Sequence, residues 1–286
     1  MGTRHILLPT DFSTNARNAI DYAICLFKNH ACTFYVLNAF EVGASGLSST
    51  MNKAKNTRLY RAVKEEAERN MKSLLSELKS KNENPLHEFK SLSRSDSLLN
   101  AIGKTVIDNN VSYVFMGTKG SSAVKEVFMG SNTVSVMKNI DFCRLVAVPE
   151  NYSFNIPEQI AFATNFEHVY SEVELRPLID LAKLWDSEIV ILHVDTGKNL
   201  TSQQETCKNI LTERLDVLPH RFEEFEEVSK ISDAIKSFTS ENKNVGMIAM
   251  VNYWHSFFER LTKENVINRV AFHTEVPFLI FPLIDP

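Results

Sequence analysis

The chain has 286 residues, 44% of them hydrophobic and 23% charged, with a formal net charge of −4. That length predicts about two domains, each large enough to bury a core of its own. No apolar run approaches the roughly 18 residues of a membrane span, and no Lys/Arg run is dense enough to propose nucleic acid, so both are excluded as partners.

The net charge conceals an asymmetry. Residues 1–150 carry 19 Lys and Arg against 14 Asp and Glu, whereas residues 151–286 carry 12 against 21. A modestly basic first half suits an anionic ligand, and the cluster Glu223, Glu224, Glu226 and Glu227 reads as a solvated strand face. The opening MGTRHILLPTDF has an apolar stretch of only Ile6 to Pro9 and no small-residue cleavage site, which predicts no signal peptide. Gly2 lacks the downstream Ser or Thr of a myristoylation signal. The four cysteines Cys25, Cys32, Cys143 and Cys207 form no C-x-x-C and no zinc spacing. They read as buried, reduced thiols and point to the cytoplasm.

In chain order, the first half alternates strand and helix. Strands are predicted at about 4–9, 33–39, 86–92, 111–116 and 144–148, and helices at about 14–28, 57–80, 96–109 and 131–139. The second of these helices should place Leu59, Val63, Ala67, Met71, Leu74 and Leu78 on one buried stripe. The third begins with capping types at Ser95 and Asp96. Strands such as YVFMG and LVAVP are continuously apolar, as in a parallel sheet covered on both faces. Alternation with short connections predicts a doubly wound α/β fold.

The second half repeats the first. HILLPTDF followed by CTFYVLNAF answers to QIAFATNF followed by EIVILHV, with an offset of 154 between Asp11 and Asn165 and of 155 between Asn38 and His193. Near each end SYVFMGTKG answers to GMIAMVNYW and RLVAVP to PFLIFP, with an offset of 134 from Gly117 to Val251. The difference lies in EVGASGLSSTMNKAKN, a loop over about 41–56 rich in Gly, Ser and Asn. Two domains are expected, 1–150 and 151–286, with the boundary near Glu150–Pro157.

The chemistry concentrates in MGTKGSSAVKEVFMGSNT, which contains Gly117-x2-Gly120-x9-Gly130-Ser131. Gly117 and Gly120 follow an apolar strand, and Gly130-Ser131 opens a helix. Ligands bind open α/β sheets beyond the carboxyl ends of the strands, and helix N-termini attract phosphate. Ser131 and Thr133 add hydroxyls there. Two ordinary glycine turns would produce the same spacing. Asp11 ends the first strand on the same edge and can accept from a base amine or ribose hydroxyl, while Asp11 or Ser13 can also cap the helix that follows.

I-L-L-P-T-D-F-S, G-x2-G-x9-G-S and the closing V-A-V-P together resemble the universal stress protein family, in two copies covering essentially the whole chain. The resemblance implies two repeated domains, each a five-stranded parallel sheet of order 3-2-1-4-5 with helices on both faces. It implies ATP at the break between strands 1 and 4, with AMP or ADP as alternatives and Mg²⁺ optional. Pro9, Thr10 and Asp11 would hold the adenosine. Asn38 and Ala39 would flank the base. Met116 and Gly117 would lie near the ribose, and Gly120, Gly130, Ser131, Asn132 and Thr133 would cradle the phosphates. It further implies internal pairing of Leu145–Val148 with Phe278–Phe281; a further homodimer and protein partners stay open.

The second half departs from this pattern. Asn165, Glu167, Val251, Trp254, Glu264 and Asn265 stand where the first half has Asp11, Ser13, Gly117, Gly120, Gly130 and Ser131. Trp254 would fill ligand space and Glu264 would repel phosphate, so nucleotide is expected in the first half alone. The aromatic stretch Tyr253–Phe258 reads as core or interdomain packing, or as a surface for an apolar ligand or a partner. The chain contains no G-x-x-x-x-G-K-[ST] loop, Lys119 and Lys125 read as exposed, and no catalytic arrangement is legible. The expectation is a nucleotide-binding regulator in which ATP orders the loop 41–56. A scaffold that keeps the glycine loops without nucleotide is one alternative. An adenylyl-transferring enzyme is another, for which an H-x-G-H signature is missing.

Overall fold

The computed structural model describes residues 2–41, 58–118, 130–139, 143–194, 200–225, 231–252 and 275–282. The first half runs β1 (Arg4–Pro9), α1 (Thr14–Leu26), β2 (Cys32–Ala39), α2 (Arg58–Lys81), β3 (His87–Arg94), α3 (Leu98–Asp108), β4 (Tyr113–Gly117), α4 (Ser131–Asn139) and β5 (Arg144–Val148). The second runs β6 (Gln159–Ala163), α5 (Glu172–Ala182), β7 (Glu188–Val194), α6 (Ser202–Leu215), β8 (His220–Phe225), α7 (Ile231–Glu241), β9 (Val245–Asn252) and β10 (Phe278–Pro282).

The strands form one sheet in the order β3-β2-β1-β4-β5-β10-β9-β6-β7-β8. The first five have the expected order 3-2-1-4-5, and the second five repeat it in mirror sequence. Neighbours are parallel except at the centre, where β5 and β10 run antiparallel with Leu145, Val146 and Ala147 opposite Ile280, Leu279 and Phe278. Instead of two separate sheets there is therefore one of ten strands. Each of these strands would otherwise present a bare row of N–H and C=O groups, and each satisfies the other's.

Alternation along the strands builds two cores. Ile6 and Leu8 join one face with Tyr22, Met71, Leu178 and Cys207, so α1, α2, α5 and α6 cover that side. Leu7 joins the other with Ala101, Val136 and Ile235, under α3, α4 and α7. Each core contains residues from both halves. The segment expected as a boundary packs firmly: Asn18 Nδ2 donates to the carbonyls of Pro149 (2.8 Å) and Tyr152 (3.0 Å), and the Tyr152 hydroxyl donates to the Gly246 carbonyl (3.3 Å). Trp185 Nε1 donates to the Leu26 carbonyl (3.0 Å) and the Tyr113 hydroxyl to that of Pro177 (3.3 Å), tying the halves together.

Two expectations are corrected. On α2 only Ala67, Met71, Leu74 and Leu78 are buried; Leu59 is 62% exposed and Val63 half-buried. A helix of 24 residues is about 36 Å long against about 26 Å for the eight residues of β3, so its first turns overhang the sheet. The cap of α3 is Ser97, whose hydroxyl accepts from Asn100 N–H, while Asp96 accepts from Ser97 N–H. Of the cysteines, Cys32, Cys143 and Cys207 are buried and Cys25 half-buried, all as free thiols. The loop 42–57, the aromatic stretch 253–258, Gly120, Lys119, Lys125, Glu226, Glu227, Glu264 and Asn265 lie outside the described residues. Among the described residues no helix is long and apolar enough to cross a membrane.

Candidate functional site

The site residues collect at the carboxyl edge of β1, β2 and β4. β1 ends in the buried Pro9, and the next residue, Thr10, is held by its N–H on the Leu37 carbonyl (2.8 Å) and by its carbonyl on Asn38 Nδ2 (2.8 Å). The chain then turns sharply. Phe12 takes φ 64°, its N–H donates to Thr10 Oγ1 (2.9 Å), and Ser13 N–H donates to Asp11 Oδ1 (3.0 Å). Ser13 caps α1, accepting from Ala16 N–H at 3.2 Å. The turn thus leaves Asp11 exposed at the strand's end, with one carboxylate oxygen used by its own backbone.

β4 brings Met116 and Gly117, both buried, beside this turn. A Cβ on Gly117 would lie 2.6 Å from Asn15 Cγ, so the close approach of α1 requires the glycine. Asn15 was not among the expected site residues; only its contact with β4 brings it to the site. Gly130 N–H donates to the Thr118 carbonyl, and Thr133 Oγ1 donates to the Gly117 carbonyl at 2.8 Å. These bonds clamp the start of α4 against the end of β4. The Thr133 hydroxyl proton is committed there, in a residue only 2% exposed. Ser131 and Asn132 are exposed at the start of α4, where backbone N–H groups have no intrahelical acceptor.

A cavity of about 390 Å³ opens on this face, lined by Ala39 at the end of β2 and Glu41 just beyond it, by Asp96 to Leu99 at the start of α3, and by Asn132, Ser135 and Val136 on α4. Ala39 and Asn132 therefore share one space. Thr10 instead lines a second cavity of about 250 Å³ on the opposite face, with Ser13, Arg17, Asn70 and Ser73. Arg17 is paired to Glu77 at 2.6 Å. Asp96 is held below the usual carboxylate range, first by the hydrogen bond from Lys104 and further by those from Asn100 and the Ser97 backbone. Glu41 and Asp96 were not among the expected site residues; their place on the cavity depends on how α3 meets the end of β2. Among the described residues no group of three or more His, Cys, Asp or Glu could hold a metal.

The second half copies the turn. Phe166 takes φ 56°, its N–H donates to Thr164 Oγ1 (3.1 Å), and Glu167 N–H donates to Asn165 Oδ1 (3.2 Å). His193 stands where Asn38 does and bonds the Thr164 carbonyl (3.2 Å). It is packed rather than free, stacked on Phe166 with centroids 4.6 Å apart. The link from β7 to α6 is short, and Gln204 Nε2 near the start of α6 donates to the Asn165 carbonyl (3.0 Å). α5 starts only at Glu172, behind a Ser171–Glu174 capping box. Val251 is buried at the position of Gly117.

The fold is shared with solved structures over both halves. A universal stress protein from Archaeoglobus fulgidus aligns with TM-score 0.69 and 18% identity, covering 97% of this chain and 96% of its own. A functionally unknown protein from Pseudomonas aeruginosa PAO1 aligns with TM-score 0.55 and 11% identity, covering 98% and 92%. The cytoplasmic domain of a prokaryotic cation chloride cotransporter aligns with TM-score 0.51 and 9% identity, covering 98% and 95%. No curated protein matches by sequence. The sequence profile of the universal stress protein family matches residues 2–148, the stretch that carries the P-T-D-F-S turn, the three motif glycines and the closing strand. The chain belongs to the universal stress protein family.

Proposed function

We propose that the chain is a regulatory protein that binds an adenine nucleotide in its first half, with residues 1–150 and 151–286 acting as two domains of one repeat. ATP, with or without Mg²⁺, is the first candidate; AMP and ADP fit the same reading. The observation that carries it is the cavity of about 390 Å³ at the carboxyl edge, bordered by the start of α4. Its volume falls within the roughly 300–1,000 Å³ of small-molecule sites. The exposed Ser131 and Asn132 at a helix N-terminus suit phosphate, and Asp11 suits a hydroxyl or amine donor. The second half is read as a partner that stabilises the first, because Val251, Trp254 and Glu264 stand where the first half has Gly117, Gly120 and Gly130. The role is binding rather than catalysis, and four free thiols suit the reducing cytoplasm.

The test is calorimetric titration of the full chain with ATP and Mg²⁺, beside Gly130→Glu, which copies the residue at the matching position of the second half. About one equivalent bound by the wild type and none by the variant supports the reading. Two equivalents would place a second site in the second half, and none would remove nucleotide altogether. One observation favours that last case: the Asn38 amide and the Thr133 hydroxyl, both expected at the ligand, donate to carbonyls of the fold itself. A scaffold that keeps the motif for its structure would do the same.

A further inference from the structure

The sheet ends on one side in β3 and on the other in β8. Among the described residues β8 pairs with β7 alone. Its outer edge therefore presents backbone N–H and C=O groups with no strand beside them, a template for adding a further strand. Phe222 lies near the middle of this edge. It is half-buried, with Phe166 at 6.1 Å between ring centroids and Lys208 Nζ 4.8 Å from its own. Arg221 and Glu223 flank it on the other face of the strand, paired with each other, their side chains 37% and 38% exposed. Charge thus reverses sign about Phe222.

We infer that β8 is the contact surface for a second copy of this chain, related by a two-fold axis that passes through Phe222 perpendicular to the sheet. Antiparallel addition in that register sets Phe222 opposite Phe222 and Arg221 opposite Glu223 of the second copy, and the reverse. Each charge then has two opposite neighbours, one along its own strand and one across. Such self-complementarity is what a closed isologous pair requires. Open growth, with β8 of one copy beside β3 of the next, also runs antiparallel, because the sheet reverses direction once, between β5 and β10. With Phe222 opposite Phe89, which packs on the same face, it sets Arg221 against Lys90 and Glu223 against Glu88. Like charges directly opposite destabilise a strand pair. β3 against itself repeats the alternation of charge, but Phe89 is already buried and stacked on Phe34 at 5.3 Å. Only at β8 does the second copy cover a half-buried ring.

The experiment is analytical ultracentrifugation of the full chain from low to high micromolar concentration, where a monomer–dimer equilibrium is expected. Arg221→Glu makes both positions beside Phe222 acidic, and Glu223→Arg makes both basic. Each variant alone should self-associate about ten-fold or more weakly. An equimolar mixture of the two should associate again, because opposite charges then face each other across the axis. Melting curves of both are recorded, since Arg221 also lies 3.6 Å from Glu188. Phe222→Cys gives a readout free of these charges. Directly opposed residues of antiparallel strands have Cα atoms about 4.5–5.5 Å apart, within the roughly 4.4–6.8 Å that a disulfide spans. Mild oxidation should therefore cross-link two copies through it, beyond what the four native thiols give, whereas Glu224→Cys, off the axis, should not. A wild type that stays monomeric overturns the inference, as does a dimer that survives in both charge variants or an assembly that keeps growing with concentration. So does a mixture that stays monomeric although both variants melt like the wild type. Should the charge variants fail to fold, absence of the Phe222→Cys cross-link overturns it.

Discussion

Gly117 ends β4 directly against Asn15 of α1: a Cβ on the glycine would approach the Asn15 side chain to 2.6 Å and its carbonyl oxygen to 2.8 Å. Asn15 is itself 4% exposed on a helix packed onto β4, so neither partner can withdraw into solvent. Gly117→Ala should destabilise the chain by about 1–3 kcal/mol, the usual penalty for overpacking, as measured by urea denaturation. An alanine tolerated without loss would mean that α1 shifts freely over the sheet.

Asp11 offers a charge test with built-in control of shape. Asn165 makes the same turn with an amide oxygen, accepting from Glu167 N–H at 3.2 Å where Asp11 accepts from Ser13 N–H at 3.0 Å. Asp11→Asn should therefore leave the melting temperature nearly unchanged. Loss of a charged acceptor should weaken nucleotide binding about ten-fold or more, read by calorimetry. Equal affinity in the variant would take Asp11 out of the site.

Tyr22 is buried at the seam between the halves, with Tyr152 and Phe154 against its ring at 5.9 and 5.6 Å. Among the described residues its hydroxyl has no hydrogen-bond partner, and burial raises its pKa well above the ordinary value. An unsatisfied buried hydroxyl costs about 1–3 kcal/mol. Tyr22→Phe keeps the ring contacts, and chemical denaturation should show it more stable by about 1 kcal/mol.

Burial pushes the thiols of Cys32 and Cys143 up from near 9 to about 12. A group whose pKa is raised on folding contributes stability that is complete below the unfolded value and disappears as pH climbs through the folded one. The chain should hold its stability from these groups up to about pH 9 and lose it progressively towards pH 12, followed by fluorescence-monitored unfolding across that range. At pH 8 a thiol reagent should modify the half-buried Cys25 first and reach Cys32 and Cys143 only under denaturant. Immediate labelling of all four would contradict the packing.

Much of the fold was legible because its signals are local. Apolar runs such as YVFMG specify strands buried on both faces. The offsets of 154 and 155 foretold matching turns, and Thr10 and Thr164 do bond Phe12 and Phe166 alike. The start of α3 was misplaced because Ser95, Asp96 and Ser97 are all capping types, and backbone geometry alone selects Ser97. The overhang of α2 was invisible because periodicity marks a stripe without saying how far the sheet extends beneath it.

The candidate site divides along the same line. The sequence by itself determined the family, the alternation of strands and helices, and the carboxyl edge where the glycines and Asp11 gather, since these follow from residue type and spacing along one chain. Only the tertiary structure decided that Gly117 serves Asn15, that Thr133 and Asn38 donate to the fold, and that Glu41 and Asp96 face Asn132 across one cavity. Those assignments depend on distances between elements far apart in sequence, which packing of the helices on the sheet sets and local pattern does not carry.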